Sequence, residues 1–344
     1  MIPVYCTVAG GTLTWIWCLC LFSDDVEFNT YYLKTVRPHN WTQWIMLLYA
    51  VAFISSMQTQ ASHELIHRRE NYNKAIGMFG LMNIHYIHFK DEHVMGHHKH
   101  LATIEDSSTS RLNESIYWYM IREVYTTNKN MWQREFARIR KQHGSDCPWV
   151  AYILFNKMTW YYVIYMCMWV SIYLLLGWNS LKFHFIYSLY GLWYQCFANY
   201  MTHYGLLRNK DKNGIYESIN KYHSWNFVSS PIYYRLPRHS DHHTSSFRPY
   251  QILRRFDDAP WNPYQFVMCL YLCQCPPLWF WAMNPKVQAV RDFCNGKVNT
   301  EVSFNNIQKR TEKDKRTDIV VSIYFALCTS VFGYVAFFGD LAFK

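Results

Sequence analysis

The sequence predicts an all-α protein, a polytopic integral-membrane helical bundle with a cytoplasmic, histidine-rich cap that binds two metal ions. Two observations support this fold class. Of the 344 residues, 51% are hydrophobic, 19% are aromatic and only 17% are charged, and amphipathic rings are enriched at membrane interfaces. Histidines also gather at the ends of apolar runs. We expect a single membrane domain over residues 1–344.

Five apolar runs are long enough to cross a bilayer as helices, since about 20 residues rising about 1.5 Å each span its core. The first run, residues 2–22, carries no charge. A cleaved signal peptide is its alternative, but the basic start and the small-residue cleavage site of such a peptide are missing. The other predicted spans are 41–62, 155–177, 183–204 and 319–338.

Shorter apolar stretches are predicted to be buried or interfacial. Residues 75–89 are too few to span comfortably, and residues 264–283 are interrupted by Pro276 and Pro277. Residues 178–182 form only a short break between two spans, which predicts a helical hairpin there. The eleven cysteines form no paired Cys-x-x-Cys motif and are expected to be free thiols.

The formal charge is +10, and the basic residues lie in the loops between apolar runs without forming a nucleic-acid-binding motif. We therefore expect no nucleic-acid partner. Lysine and arginine are abundant in 63–148 and 205–317. By the positive-inside rule, these two segments and the N-terminus face the cytoplasm, so the metal site is predicted on the cytoplasmic side of an integral membrane protein in contact with membrane lipid.

The chemistry is predicted to lie in four groups of histidines. His63-Glu64-x-x-His67 places two imidazoles four residues apart at the end of a span, which alone is the zinc-protease signature with Glu64 as the general base. The same spacing recurs at 93–97 with a further adjacent histidine. Together the groups provide nine candidate metal ligands: His63, His67, His93, His97, His98, His203, His239, His242 and His243.

Nine imidazoles exceed what one first-row ion can bind, so two ions with four or five ligands each are expected. Imidazole ligands alone leave zinc, copper, nickel and iron open. Glu64, Glu92 and Asp241 stand beside ligands and are candidates to accept the second ring N–H; a surface salt bridge is the alternative for each. The other histidines lack this grouping and are expected to be structural: His39, His85, His88, His100, His143, His184 and His223.

The sequence resembles the membrane-bound alkane 1-monooxygenases, which are relatives of the xylene monooxygenases and, more distantly, of the integral-membrane desaturases. The resemblance covers roughly residues 40–286. The matching motifs are His-Glu-x-x-His-Arg at 63–68, Glu-His-x-x-Gly-His-His at 92–98, Asp106 with Thr-Ser-Arg at 109–111, Glu-Ser-Ile-Tyr at 114–117, Asn-Tyr-x-x-His-Tyr-Gly-Leu at 199–206, His-Ser-Trp-Asn at 223–226, Arg-His-Ser-Asp-His-His at 238–243 and Tyr-Gln at 250–251.

This resemblance implies two non-haem iron ions bound by the nine histidines, O2 as oxidant, and a rubredoxin or ferredoxin as electron donor. It further implies hydroxylation at the terminal carbon of an alkane or a similar apolar hydrocarbon or lipid chain. Such a substrate must be positioned by shape. We predict that the His63 face of the preceding span lines an apolar tunnel through Tyr49, Ala52, Ser56 and Thr59, with helix packing as the alternative role.

Three departures from the resemblance bear on activity. Two further membrane helices precede residues 2–22 in the alkane hydroxylases, Thr202 stands where that family has Glu, and the run 319–338 has no counterpart. A desaturase or aldehyde-processing oxidase of the same superfamily, a non-catalytic metal-binding membrane protein and a zinc protease remain alternatives.

Overall fold

Helices are the only extended regular elements in the part of the chain that the computed structural model describes, residues 1–25, 41–144, 146–227, 233–297 and parts of 312–324. Two isolated bridges, Lys210 with Tyr216 and Asn226 with Trp261, are the only β pairings there. The all-α prediction is confirmed for these residues. The helices are α1 (Ile2–Leu21), α2 (Trp41–Ile66), α3 (Asn71–Met82), α4 (Phe89–Glu92), α5 (His98–His100), α6 (Ile116–His143), α7 (Trp149–Leu154), α8 (Lys157–Leu176), α9 (Trp178–His203), α10 (His239–Thr244), α11 (Phe266–Leu272) and α12 (Pro276–Cys294).

The chain divides into two compact units. The first comprises Met1–Val94 and Val124–Gln195, and the second comprises Met95–Glu123 and Cys196–Lys344. A π-helical turn, His93–His97, connects α4 to α5, and a 3-10 turn lies at Tyr250–Ile252. Each unit has its own buried residues and its own group of histidines.

In the first unit, α2 packs against both α1 and α3. The buried side chains of this core are mostly large and apolar, including Trp15, Leu19, Phe22, Val51, Ile66, Leu81, Phe89, Phe183 and Tyr187. Gly80 allows α3 to approach α2 closely, because a Cβ at that position would collide with Ser62 Oγ and lie 3.1 Å from Val8 Cγ1. Small residues permit such close helix contacts in membrane proteins.

The predicted hairpin between the two later spans is present and its turn is shorter than the predicted break at 178–182. Helix α8 ends at Leu176, α9 begins at Trp178, and Gly177 alone joins them. Its φ of 86° and ψ of −174° lie in a region that only glycine readily occupies. Asp24 stabilises the turn because its carboxylate accepts the Trp178 backbone N–H at 2.7 Å and the Asn179 amide at 2.6 Å.

Two described helices, α1 and α8, are long and apolar enough to cross a membrane by length and composition. Most of α8 is exposed, with Trp160, Met166, Val170, Leu174 and Leu175 on its surface. The predicted span 41–62 lies within α2, and residues 183–203 of the predicted span 183–204 lie within α9, although the composition of neither helix meets the same criterion. Most of the predicted span 319–338 lies outside the described residues.

In the second unit, the core is built around aromatic rings. Trp279 contacts Tyr200 and Tyr204 at ring-centroid distances of 5.7 and 5.3 Å, and Tyr119 contacts Tyr200 at 5.3 Å. The predicted interfacial stretch 264–283 forms α11 and the start of α12. Pro276 and Pro277 begin α12, where their missing N–H groups leave no helical hydrogen bond unmade.

Candidate metal centre

The first unit gathers three of the predicted ligands. His63 lies in the last turn of α2, His67 follows that helix directly, and His93 begins the π-helical turn. All three are buried. The Nε2 atoms of His63 and His93 are 2.7 Å apart, and the candidate ligand nitrogens of the three lie within 4.8 Å of one another. Phe89 stacks on the His93 ring at 4.6 Å and limits its rotation.

The second unit gathers the other six. His97, His203 and His243 are buried, and their candidate ligand nitrogens lie within 4.8 Å of one another. The Nε2 atom of His239 lies 3.1 Å from that of His203 and 3.0 Å from that of His243. His98 and His242 stand beside this group, with ring centroids 4.9 Å apart. Helix α10 carries three of these histidines, His239, His242 and His243.

The recurring spacing His93-x-x-x-His97 does not bring both rings to one group. His93 joins His63 and His67, whereas His97 joins His203 and His243. The backbone between them is the π-helical turn, an arrangement frequent at functional sites because the extra residue per turn re-aims side chains. The sequence spacing alone gave no sign of this division.

The arrangement of ring nitrogens in the second group suits a cation. A neutral imidazole carries one N–H, so it donates only one hydrogen bond from its ring. The Nε2 atoms of His203 and His243 lie 3.1 and 3.0 Å from that of His239, and these three atoms cannot all be satisfied by one another. Burial and the neighbouring imidazoles also hold the pKa of His243 well below its usual range, which keeps its ring neutral. Neutral rings with converging lone pairs are metal ligands, so the residues present are suited to bind a metal ion.

Asp106 orients one of these ligands. His97 Nδ1 donates to Asp106 Oδ2 at 2.9 Å, which leaves Nε2 of the ring as the ligand atom. Thr109 Oγ1 and the backbone N–H of Ser108 also donate to the carboxylate, at 2.6 and 3.2 Å. Burial acts to raise the pKa of Asp106, but His97 and these hydrogen bonds outweigh burial and lower it. The sequence motifs included Asp106 but did not identify this role, because the residue lies nine positions from its histidine.

Two of the three carboxylates predicted to serve ring N–H groups form ion pairs with arginines, which was the alternative role for each. Glu64 forms an ion pair with Arg68 one helical turn away. Asp241 is fully buried and accepts hydrogen bonds from Arg248 at 2.9 Å and from the Arg254 guanidinium at 2.9 Å. A charged guanidinium outcompetes a neutral ring N–H for a carboxylate. Glu92 is buried beside His93, and its assignment stays a prediction.

The predicted tunnel residues lie along α2. Ala52, Ser56 and Thr59 are buried, whereas Tyr49 is exposed and contacts the Tyr190 ring at 6.0 Å. The hydroxyls of Ser56 and Thr59 donate to helix carbonyls, at 2.7 and 2.9 Å, so their polar atoms are satisfied within α2. Neither hydroxyl therefore needs a hydrogen-bond partner outside the helix. The tunnel itself stays a prediction.

A second buried acid was not found from the sequence. Glu123 Oε1 accepts from Ser108 Oγ at 2.9 Å and from Asn199 Nδ2 at 2.7 Å, and Cys196 and Tyr119 face the same carboxyl group. Burial raises its pKa to about 7, although these hydrogen bonds partly oppose the shift. Glu123 therefore connects the Asp106 turn to the end of α9 that carries His203. Its place in an amphipathic helix gave no sequence signal.

Three of the remaining histidines have hydrogen-bond partners outside both groups. The half-buried His85 and the buried His184 form a pair, Nε2 to Nε2 at 3.0 Å, and each accepts an indole N–H, from Trp169 and Trp15 respectively. His223 accepts the Asn220 backbone N–H at 3.1 Å. These contacts agree with structural roles. His39 lies outside the described residues.

In the described residues, the all-helical architecture and the buried, converging histidines define a helical protein whose histidines are suited to bind metal. The chain belongs to the fatty acid desaturase family, whose sequence model matches residues 39–264.

The chain is also similar to individual monooxygenases of known name. The chain is 35% identical to alkane 1-monooxygenase 1 of Pseudomonas aeruginosa over 72% of its own length and 63% of the relative. It is 32% identical to the alkane 1-monooxygenase of Ectopseudomonas oleovorans over 76% of its own length and 64% of the relative. It is 30% identical to the xylene/toluene monooxygenase hydroxylase component of Pseudomonas putida over 67% of its own length and 61% of the relative. The chain thus spans less than two thirds of the length of these relatives.

Proposed function

We propose that the chain is a membrane-bound monooxygenase with two non-haem iron ions, which hydroxylates the terminal carbon of alkanes or similar apolar hydrocarbon chains. The observation that carries the proposal is the burial and convergence of the predicted histidines within each unit. The similarity to alkane and xylene monooxygenases supports the reaction class. The two apolar helices, α1 and α8, support a membrane location. The cytoplasmic side of the histidines is proposed from the positive-inside rule.

The roles of the protein's own residues follow from this assignment. His63, His67 and His93 would hold one iron, and the second-unit group around His97 and His203 would hold the other. Iron supplies the activation of O2 when it is bound, using electrons from a rubredoxin or ferredoxin, so that one oxygen atom enters a C–H bond and the other leaves as water. Asp106 keeps a proton on His97 Nδ1, and burial of the histidines excludes bulk water.

Substrate recognition is proposed to rest on shape. A saturated chain offers no hydrogen-bonding group, so the enzyme must position it by apolar contacts. Ala52 is buried on the His63 face of α2 with no side chain beyond Cβ, which would leave room for such a chain. The length of the accepted hydrocarbon would then depend on the side chains of α2.

The desaturase alternative is retained because the matching family is the fatty acid desaturases. The same metal ligands serve either outcome, so product analysis must separate them. With labelled O2, label in a primary alcohol supports hydroxylation, whereas an alkene without label supports desaturation. The zinc-protease alternative loses support because Glu64, its required base, is ion-paired with Arg68.

The test is metal quantification on the detergent-purified chain, followed by an alkane panel with rubredoxin, its reductase and labelled O2. We expect two irons per chain and labelled primary alcohol. His203→Ala should lose iron and product, because His203 lies within the second-unit group. The matched control is His143→Ala, at an exposed position stacked on Phe155, which should retain both. One zinc per chain, or iron loss equal in both variants, would refute the proposal.

A further inference from the structure

A basic surface pocket lies in the second unit beside the backbone that carries two of the predicted ligands. Its volume is about 260 Å³, and its lining includes three cationic side chains, Arg208, Lys210 and Arg291, together with Leu206, Val290 and Tyr222. Among the described residues, no acidic side chain lines it. We call it the Arg208–Arg291 pocket.

Arg291 brings a positive charge to the pocket wall without a carboxylate of its own. Its Nε donates to the carbonyl of Gly205 at 2.7 Å, which fixes the side chain against the turn after His203. Within the described part of the chain, its two terminal nitrogens have no hydrogen-bond or ion-pair partner. Burial lowers the pKa of Arg291, since a half-buried cation without an anion is poorly solvated. An anion in the pocket would relieve this.

Arg208 contributes a second positive charge, which the nearby negative charges only partly balance. Its guanidinium donates to two backbone carbonyls, of Glu217 at 3.1 Å and of Lys99 at 3.1 Å. Burial lowers its pKa and outweighs the attraction of Asp106, Glu217 and Glu105. The Glu217 carboxylate accepts the backbone N–H of Asn209, another pocket-lining residue, at 2.8 Å.

The same contacts connect the pocket to the histidine group. Lys99, whose carbonyl binds Arg208, directly follows His98, and Gly205, whose carbonyl binds Arg291, lies two residues after His203. A group bound in the pocket would therefore sit one backbone segment away from two predicted ligands. Lys210 stands exposed at the rim, with its ammonium 4.4 Å from the centre of the Tyr216 ring.

We propose that the Arg208–Arg291 pocket is a docking site for a carboxylate on the acidic surface of the electron-donor protein. The inference rests on the proposed function, which requires such a donor, and on charge complementarity with a chain of formal charge +10. Complementary charges at an interface rim accelerate encounter and fix register. Docking at this pocket brings the donor next to the segments that hold His98 and His203.

The experiment measures binding of an oxidised, net-acidic rubredoxin to the detergent-purified, iron-loaded chain, without alkane or turnover. Lys210→Glu reverses one charge at the rim, and we expect Kd to rise about tenfold at low salt. The matched control is Lys212→Glu, which makes the same change at an exposed position two residues away that does not line the pocket. Its Kd should stay within about twofold of the unmodified chain. Arg291→Gln should weaken binding as Lys210→Glu does.

Equal Kd changes for Lys210→Glu and Lys212→Glu would overturn the inference, because they would indicate only a diffuse electrostatic effect. Loss of binding to phosphatidylglycerol vesicles at Lys210→Glu, with rubredoxin affinity unchanged, would also overturn it. Because the readout is binding alone, a chain that docks rubredoxin at this pocket yet forms no alcohol would refute the proposed function and leave the docking site standing.

Discussion

The contact between His97 and Asp106 makes a prediction at the scale of a single residue. Asp106→Asn keeps the size of the side chain but removes the charge that holds the Nδ1 proton of His97. Loss of such a carboxylate partner typically weakens metal affinity about 10- to 100-fold. We expect the variant to lose iron at a chelator concentration that the unmodified chain withstands, as measured by iron released after dialysis.

The control for this prediction is Asp257→Asn, which makes the same change at an exposed carboxylate paired with Arg255. Its iron retention should match that of the unmodified chain. Iron retention in Asp106→Asn equal to that in the control would show that Asp106 does not tune the metal ligand.

Glu123 makes the chain's stability depend on pH. Burial raises its pKa to about 7 from the usual 4.5 of a glutamate, so the folded chain holds a proton that the unfolded chain releases. The stabilisation is complete below the unfolded pKa and is lost as pH rises through the folded value. A shift of this size corresponds to about 3 kcal/mol. In detergent, the melting temperature should fall between pH 5 and pH 8 by more than in Glu123→Gln.

Glutamine at position 123 keeps an oxygen that can accept from Ser108 and Asn199 without titrating. Comparison with this variant therefore isolates the carboxyl proton from the hydrogen bonds. Identical pH profiles for the two proteins would contradict a raised pKa at Glu123.

At the scale of elements, the α8–α9 turn depends on a residue without a side chain. Gly177→Ala would force a Cβ into the Asp24 carboxylate and place alanine in a backbone region that costs about 1–3 kcal/mol. The melting temperature in detergent should fall. Gly10→Ala is the matched control, because a Cβ there meets no atom within 4 Å and alanine favours a helix interior. An unchanged melting temperature in Gly177→Ala would mean that the turn relaxes freely.

The positions of most helices follow from sequence patterns, whereas several boundaries do not. Apolar runs predicted a helix at 41–62, which lies inside the longer α2, and a helix at 183–204, which begins five residues after the start of α9 and ends one residue after its end. Residues 178–182 read as a break because they are more polar than their neighbours, yet Asp24, far away in sequence, caps that end of α9 and allows the helix to begin at Trp178. Long-range caps leave no local signature.

At the scale of the whole molecule, the nine histidines could be predicted as candidate metal ligands from the sequence, because they recur in dense local groups at the ends of apolar runs. The sequence did not predict which group each would join, since His93 and His97 share one short stretch. It placed carboxylate partners by adjacency, at Glu64, Glu92 and Asp241, and did not identify Asp106, which lies nine residues from His97. Partner choice depends on three-dimensional competition for charge, which sequence distance does not measure.

The close packing of α3 on α2 at Gly80 has a consequence for experiments that rank positions by selection. Gly80 has no side chain to bind metal or substrate, yet any larger residue there would collide with Ser62, the neighbour of His63. In a saturation library selected for growth on a hydrocarbon, Gly80 should tolerate as few substitutions as a histidine ligand. Depletion scores alone would then misclassify a packing position as a chemical one.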